Sequence, residues 1–139
     1  MLLSGKNAVI YGAGGSIGRH VAAAFARDGA AVHLCGRHAG SLEAVADGIH
    51  AEGGVATVSI VDALDAGAVR DHANEIEASA DTIDISFNLI GVEDDKGTAL
   101  TKMSKADFLR PIAIGTEAHF TTATEAARRM QLRGTGVIL

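Results

Sequence analysis

Gly12-Ala13-Gly14-Gly15-Ser16-Ile17-Gly18 is the stretch that decides the fold. It follows the apolar run Ala8-Val9-Ile10-Tyr11, which reads as a strand buried on both faces. It opens a segment, residues 16–28, that reads as a helix. Ile17, Val21, Ala24 and Phe25 would form the inward face of that helix. Glycines let a backbone turn sharply and come close to a pyrophosphate with no Cβ in the way. The start of the helix then offers free N–H groups and partial positive charge to that anion. Gly18 would also bring helix close to strand. The competing reading is a glycine-rich turn kept for packing alone, and the strand before it and the helix after it favour the phosphate reading.

Outward from the turn, the hydrophobic period alternates. Ala31-Val32-His33-Leu34-Cys35 is a second strand ending at Gly36. Residues 40–52 read as a helix with Leu42, Val45, Ala46 and Ile49 on one stripe, stopped by Gly53-Gly54. Residues 55–61 read as a third strand and residues 65–79 as a helix burying Val69, Ala73 and Ile76. Residues 83–87 read as a fourth strand, followed by a polar loop from Glu93 to Thr98. Ser104 and Asp107 have the spacing of a helix start, and Pro111 is expected to break or bend that helix near Arg110. A longer helix then runs to about Arg133, with Arg128, Arg129 and Arg133 placed to complement its dipole. Val137-Ile138-Leu139 reads as a fifth strand cut short.

Alternating strands and helices with short connections predict right-handed βαβ units. The expected fold is α/β: a Rossmann-like, doubly wound parallel sheet in three α/β/α layers, apparently truncated in its fifth strand. Residues 1–139 read as one dinucleotide-binding domain, the N-terminal part of a larger unit.

Composition narrows the functions. The chain has 12 Lys+Arg against 17 Asp+Glu, a net charge of −5, and no basic stripe. A nucleic-acid partner held through phosphates is not expected. No apolar run is long enough to span a membrane. A single cysteine, Cys35, supports no internal disulfide and suggests a reducing compartment. A soluble cytoplasmic protein is the expectation. The six histidines lack metal-binding spacing. His33 and Cys35 share a strand face and read as a buried pair, so no metal site is expected.

Ligands of open α/β sheets lie at the carboxyl ends of the strands. Gly36-Arg37-His38 ends the second strand where NAD-preferring sites carry a carboxylate for the ribose hydroxyls. Arg37 suits a 2′-phosphate instead, so NADP(H) is expected over NAD(H), unless Arg37 is a solvated loop residue. Asp62 would accept from the adenine amino group or serve as a turn or helix cap. Asn88, beside Gly91, would bond across the sheet or line the cofactor groove.

These segments together resemble the N-terminal half of the short-chain dehydrogenase/reductase family. The resemblance rests on the glycine turn, Gly36-Arg37, Asp62, Phe87-Asn88-Leu89-Ile90-Gly91, Ala126-Ala127-Arg128-Arg129-Met130 and the closing Gly134-Thr135-Gly136-Val137-Ile138-Leu139. It implies an NADP(H)-dependent oxidoreductase moving hydride between the cofactor and a small carbonyl or alcohol. Gly12, Gly14, Gly15, Ser16, Ile17 and Gly18 would hold the pyrophosphate, Arg37 the 2′-phosphate and Asp62 the adenine. Asn88 and Gly91 would border the ribose and nicotinamide.

Departures are equally informative. Tyr11 and Ser16 replace the family's usual Thr and Gly, and Leu89-Ile90 interrupt its Asn-Asn-Ala-Gly. Gly115 falls where the family has a catalytic Asn. The family's Tyr-x-x-x-Lys is absent: the only tyrosine is Tyr11, with Gly15 four residues on. No catalytic residue is therefore expected in this chain, which would be the inactive cofactor half of its parent. The alternatives are a non-catalytic nucleotide-binding member or a truncated gene product. By analogy the parent would be a homo-oligomer, paired through residues 112–132 with Ala118, Ala123, Ala126 and Ala127 allowing close approach.

Overall fold

The computed structural model describes residues 1–80 and 82–139. Five parallel strands lie in the order β3-β2-β1-β4-β5. They are β1 (Asn7–Tyr11), β2 (Ala31–Gly36), β3 (Val55–Ile60), β4 (Ile85–Asn88) and β5 (Val137–Ile138). The helices are α1 (Gly18–Arg27), α2 (Ala39–Ala51), α3 (Ala66–Ala80) and α4 (Lys105–Arg133), with a 3-10 turn at Leu100–Lys102. The order reverses direction beside β1, which pairs with β2 on one edge and β4 on the other. This is the doubly wound, Rossmann-like arrangement that the alternating periods predict.

The two sheet faces are distinct. Ala8, Ile10, Val32, Leu34 and Ile85 pack against α1 and α2 through Ala22, Ala26, Leu42, Ala46 and Ile49. Val9, Tyr11 and Cys35 pack on the other side with Val69, Ala73 and Ile76 of α3 and Ala118, Ala126 and Met130 of α4. Fully burying one such Leu or Ile stabilises the fold by about 1.5–3 kcal/mol.

Three expectations need correction. The inward face of α1 is Gly18, Ala22 and Ala26, with Val21 and Phe25 half-buried, whereas Ile17 is 63% exposed and Ala24 is exposed. At Gly18 a Cβ would overlap the Gly12 carbonyl, so the start of α1 lies hard against the glycine turn.

Pro111 does not break its helix: α4 is continuous from Lys105 to Arg133. The Ser104 hydroxyl accepts the Asp107 N–H at 3.1 Å and starts the helix. Proline's missing N–H leaves only the Asp107 carbonyl without its helical donor, and this stretch of helix is largely exposed to water.

The small residues of α4 are not a free stripe either. Ala118 and Ala126 are buried in the chain's own core, and among the four only Ala127 is exposed. The arginines near the helix end do more than offset a dipole. Arg129 pairs with Glu125 and with Glu77 of α3 at 3.0 Å, and Arg133 donates to the Ile83 carbonyl at 2.6 Å.

Candidate functional site

The glycine turn crosses from β1 to α1 by way of close backbone contacts. Gly12 has φ +77°, and a Cβ there would overlap the Leu89 backbone. A Cβ on Gly14 would strike the Ser41 hydroxyl, and one on Gly18 the Gly12 carbonyl. Gly12 and Ala13 donate to the Cys35 carbonyl at 2.9 and 3.2 Å, and Gly15 donates to the Gly12 carbonyl at 3.0 Å. Among the described residues, the N–H groups of Gly14, Ser16, Ile17 and Gly18 have no acceptor. Ile17, the residue capping α1, supplies no side-chain acceptor. Free donors and the positive end of a helix therefore meet at one turn, which suits an anion.

A crevice of about 360 Å³ opens beside this turn at the carboxyl ends of the strands. Of the residues singled out in the sequence, Gly12, Gly14, Gly15, Arg37, Asp62 and Gly91 line it. Ser16 and Ile17 are exposed next to it, and Gly18 is buried under the turn. A wider groove, about 520 Å³, lies between α1 and α2 and shares only Gly14 and Ser41 with the crevice.

Arg37 leaves the end of β2 with His38 and Ser41 next to it on the crevice wall. Neither Asp nor Glu follows β2 there. The Asp62 carboxylate accepts the Leu64 N–H at 3.0 Å, so it closes a turn while also facing the crevice. Capping of α3 falls to Asp65, which accepts from Gly67 and Ala68 at 2.9 and 3.0 Å.

Asn88 is not a crevice residue. It donates to the Thr122 hydroxyl of α4 at 3.0 Å and accepts the Ile90 N–H at 3.1 Å. These bonds tie β4 to α4 and to the loop after β4, and do not cross the sheet. Sequence reading missed Arg110 and Ile114, which reach the crevice from α4. Their i, i+4 spacing puts them on one helix face, a signal that gains meaning only once the helix is placed.

The titratable groups under the site are held neutral. Burial, then the Cys35 thiol and the Glu125 carboxylate, push the Tyr11 phenol up, with Arg129 opposing weakly. Burial likewise raises the Cys35 thiol and lowers His72, whose Nδ1 lies 3.4 Å from the Cys35 sulfur. A protonated thiol is a poor nucleophile, so this pair is packing. Among the described residues no three His, Cys, Asp or Glu side chains gather as a metal site. Gly115 follows Ile114 in α4, and a Cβ there would lie 3.4 Å from Val92.

Residues 6–139 match the family described as short chain dehydrogenase. The chain belongs to this family. It is 36% identical over 137 residues to gluconate 5-dehydrogenase of Gluconobacter oxydans, covering 99% of this chain and 53% of that one. A metagenomic short-chain oxidoreductase solved in complex with NADP superposes with a TM-score of 0.88 at 30% identity, over 99% of this chain and 62% of that one. NAD+-bound xylitol dehydrogenase superposes with a TM-score of 0.89 at 26% identity, over 99% of this chain and 53% of that one. The chain thus spans about half the length of the full-length dehydrogenases it matches. Among its solved relatives one was determined with NADP and another with NAD+. No described helix is long and apolar enough to cross a membrane.

Proposed function

We propose that the chain is the cofactor-binding half of an NADP(H)-dependent short-chain oxidoreductase acting on a small carbonyl or alcohol. The observation that carries this reading is Arg37 on the crevice wall, at the end of a β2 that no carboxylate follows. A guanidinium pairs with a 2′-phosphate in two parallel hydrogen bonds, whereas a carboxylate there would repel it. The fit of a dinucleotide rests on the glycine turn and its free N–H groups, a turn so tight that a Cβ at residue 12, 14 or 18 would clash with Leu89, Ser41 or Gly12.

When bound, the nicotinamide supplies the hydride chemistry. The N–H groups of Gly14, Ser16, Ile17 and Gly18 would bind the pyrophosphate, and Asp62 would take the adenine amino group with its remaining lone pairs. Tyr11 has no part in proton transfer: it is 4% exposed, and burial keeps its phenol protonated. The parent's acid would come from outside this chain.

Titrating NADPH and NADH separately into wild-type and Arg37→Glu protein tests the cofactor. The variant should lose about tenfold or more in NADPH affinity while NADH changes little. Equal losses for both would remove Arg37 from the 2′-phosphate site.

Gly115 favours a second reading, a family member that binds nucleotide without turnover. The full-length protein separates the two when assayed with NADP(H) and substrates such as gluconate and xylitol. Cofactor consumption supports the reductase, and tight binding without consumption supports the second reading.

A further inference from the structure

Among the described residues, His38 is the one histidine that lines the crevice, on the same wall as Arg37 and Ser41. Its backbone is extended, with φ −123° and ψ 107°, and it stands immediately before α2. Its carbonyl accepts the Ser41 hydroxyl at 2.9 Å and the Leu42 N–H at 3.4 Å, so the first turn of α2 fixes where the residue sits. Its ring is uncommitted. His33 and His50 bond through their ring nitrogens to Thr57 and to the Ala56 carbonyl, whereas the exposed imidazole of His38 has no such partner among the described residues. α2 starts without a side-chain cap, and the N–H groups of Ala39, Gly40 and Ser41 have no acceptor there. A guanidinium, an imidazole and the positive end of a helix thus meet where β2 ends.

We infer that His38 is a second contact of the 2′-phosphate and acts as the imidazolium, so that the preference for NADP(H) over NAD(H) gains from His38 as the pH falls. This rests on the NADP(H) reading above and adds a residue that makes it depend on pH. A guanidinium is charged at every working pH, whereas an imidazole gains its proton near neutrality. A dianion beside it favours the protonated ring, and both ring nitrogens then donate. The other ionisable groups on the crevice are Tyr11, Arg37, Asp62, Glu93 and Arg110. Arg37 precedes His38 in the chain, Asp62 follows the neighbouring β3, and Glu93 and Arg110 come from the side of β4. Carboxylates, guanidinium groups and a buried phenol do not ordinarily titrate between about pH 6 and 8.5, which leaves the imidazole as the titrating side chain. The 2′-phosphate has its own second ionisation at about 6, and its protonation weakens binding as the pH falls. The part played by His38 is therefore read against a variant, in which the phosphate behaves alike.

The test measures NADPH and NADH affinity of the wild-type chain, His38→Gln and His38→Arg at about pH 6 and about pH 8.5. The quantity compared is the preference for NADPH over NADH. Near pH 6 the wild-type preference should exceed that of His38→Gln by about five- to tenfold, and near pH 8.5 by less than about twofold. NADH affinity should be the same in both proteins. His38→Arg, a cation at either pH, should keep the larger preference at both.

A gap between wild type and His38→Gln that is the same at both pH values would overturn the inference, because the contact would then not depend on the proton. So would no gap at either pH, or an equal loss for NADH, which would make His38 a structural residue of the α2 start. In each of these cases Arg37→Glu would still discriminate between the cofactors, and the NADP(H) reading would survive alone. A wild-type chain that binds neither cofactor, or binds NADPH no better than NADH at either pH, overturns that reading and this inference together.

Discussion

The two faces of the sheet are built on different principles. The face under α1 and α2 is apolar throughout: Ala8, Ile10, Val32 and Leu34 meet Leu42, Ala46 and Ile49. The buried polar side chains fall on the other face, among them His33, His72, Asn88, Thr122 and Glu125. There Asn88 bonds Thr122, His33 bonds Thr57 at 2.9 Å and Asn7 at 3.3 Å, and Arg129 joins Glu125 and Glu77. Non-directional burial is enough to seat α1 and α2. Directional bonds add a fixed register to α3 and α4, and α4 is the helix that delivers Arg110 to the crevice.

The contrast can be broken most severely at Glu125. Replacing it with Ala leaves the Arg129 guanidinium with one of its two carboxylates in a nearly buried position. The expected loss is about 3 kcal/mol, read from the midpoint of urea unfolding. A loss under about 1 kcal/mol would mean that the pair behaves as a surface ion pair and does not hold α4.

Acid should sharpen the contrast next. Burial, and then the neighbouring His72, push His33 down to about 4 from an ordinary 6.5, and burial lowers His72 as well. Both are neutral when folded and take up protons when unfolded. Their contribution is therefore complete above about pH 6.5 and is lost as the pH falls toward 4. Asp84 acts in the same direction. Burial raises it, but the Asn7 N–H, the Thr82 hydroxyl and Lys6 outweigh burial and hold it below the usual carboxylate range. Its contribution is lost only as the pH falls through that lowered range. The melting temperature should drop between pH 6.5 and pH 4.5, and His33→Gln should flatten that drop. Parallel curves for the two proteins would clear His33 of any part in it.

The smallest effect is expected at Phe120, on the outer side of the same helix that carries the polar contacts. It is 73% exposed, so Phe120→Ser should change stability by no more than about 0.5 kcal/mol in urea unfolding. A larger loss would show that this ring is covered in solution.

The strands and the helix stripes were legible on both faces: the strands are continuous hydrophobic runs, and Leu42, Val45, Ala46 and Ile49 of α2, like Val69, Ala73 and Ile76 of α3, are read directly from helical spacing. Arg37 was legible as well, because a strand end places it without any further knowledge. The polar contacts were not. Asn88 and Thr122 are 34 residues apart, as Glu77 and Arg129 are 52 apart, and no local pattern announces such pairs. Ile17 misled for a related reason. Periodicity assigns faces by hydrophobicity, but the contact of Gly18 with the Gly12 carbonyl sets how α1 is rotated. The break that was one of two outcomes expected at Pro111 does not occur, in a helix whose later turns are anchored by Ala118, Thr122, Ala126 and Met130.

The strand order has a consequence for how the protein is made. β1 leaves the ribosome first yet ends at the middle of the sheet, with β2 on one edge and β4 on the other. Its second edge stays open until Ile85 has been synthesised, 74 positions after Tyr11. At about 5–20 residues per second, that wait is roughly 4–15 seconds. During it, Val9 and Ile10 present unsatisfied backbone groups to any other nascent strand. This inner strand is, for that interval, the one most in need of a chaperone.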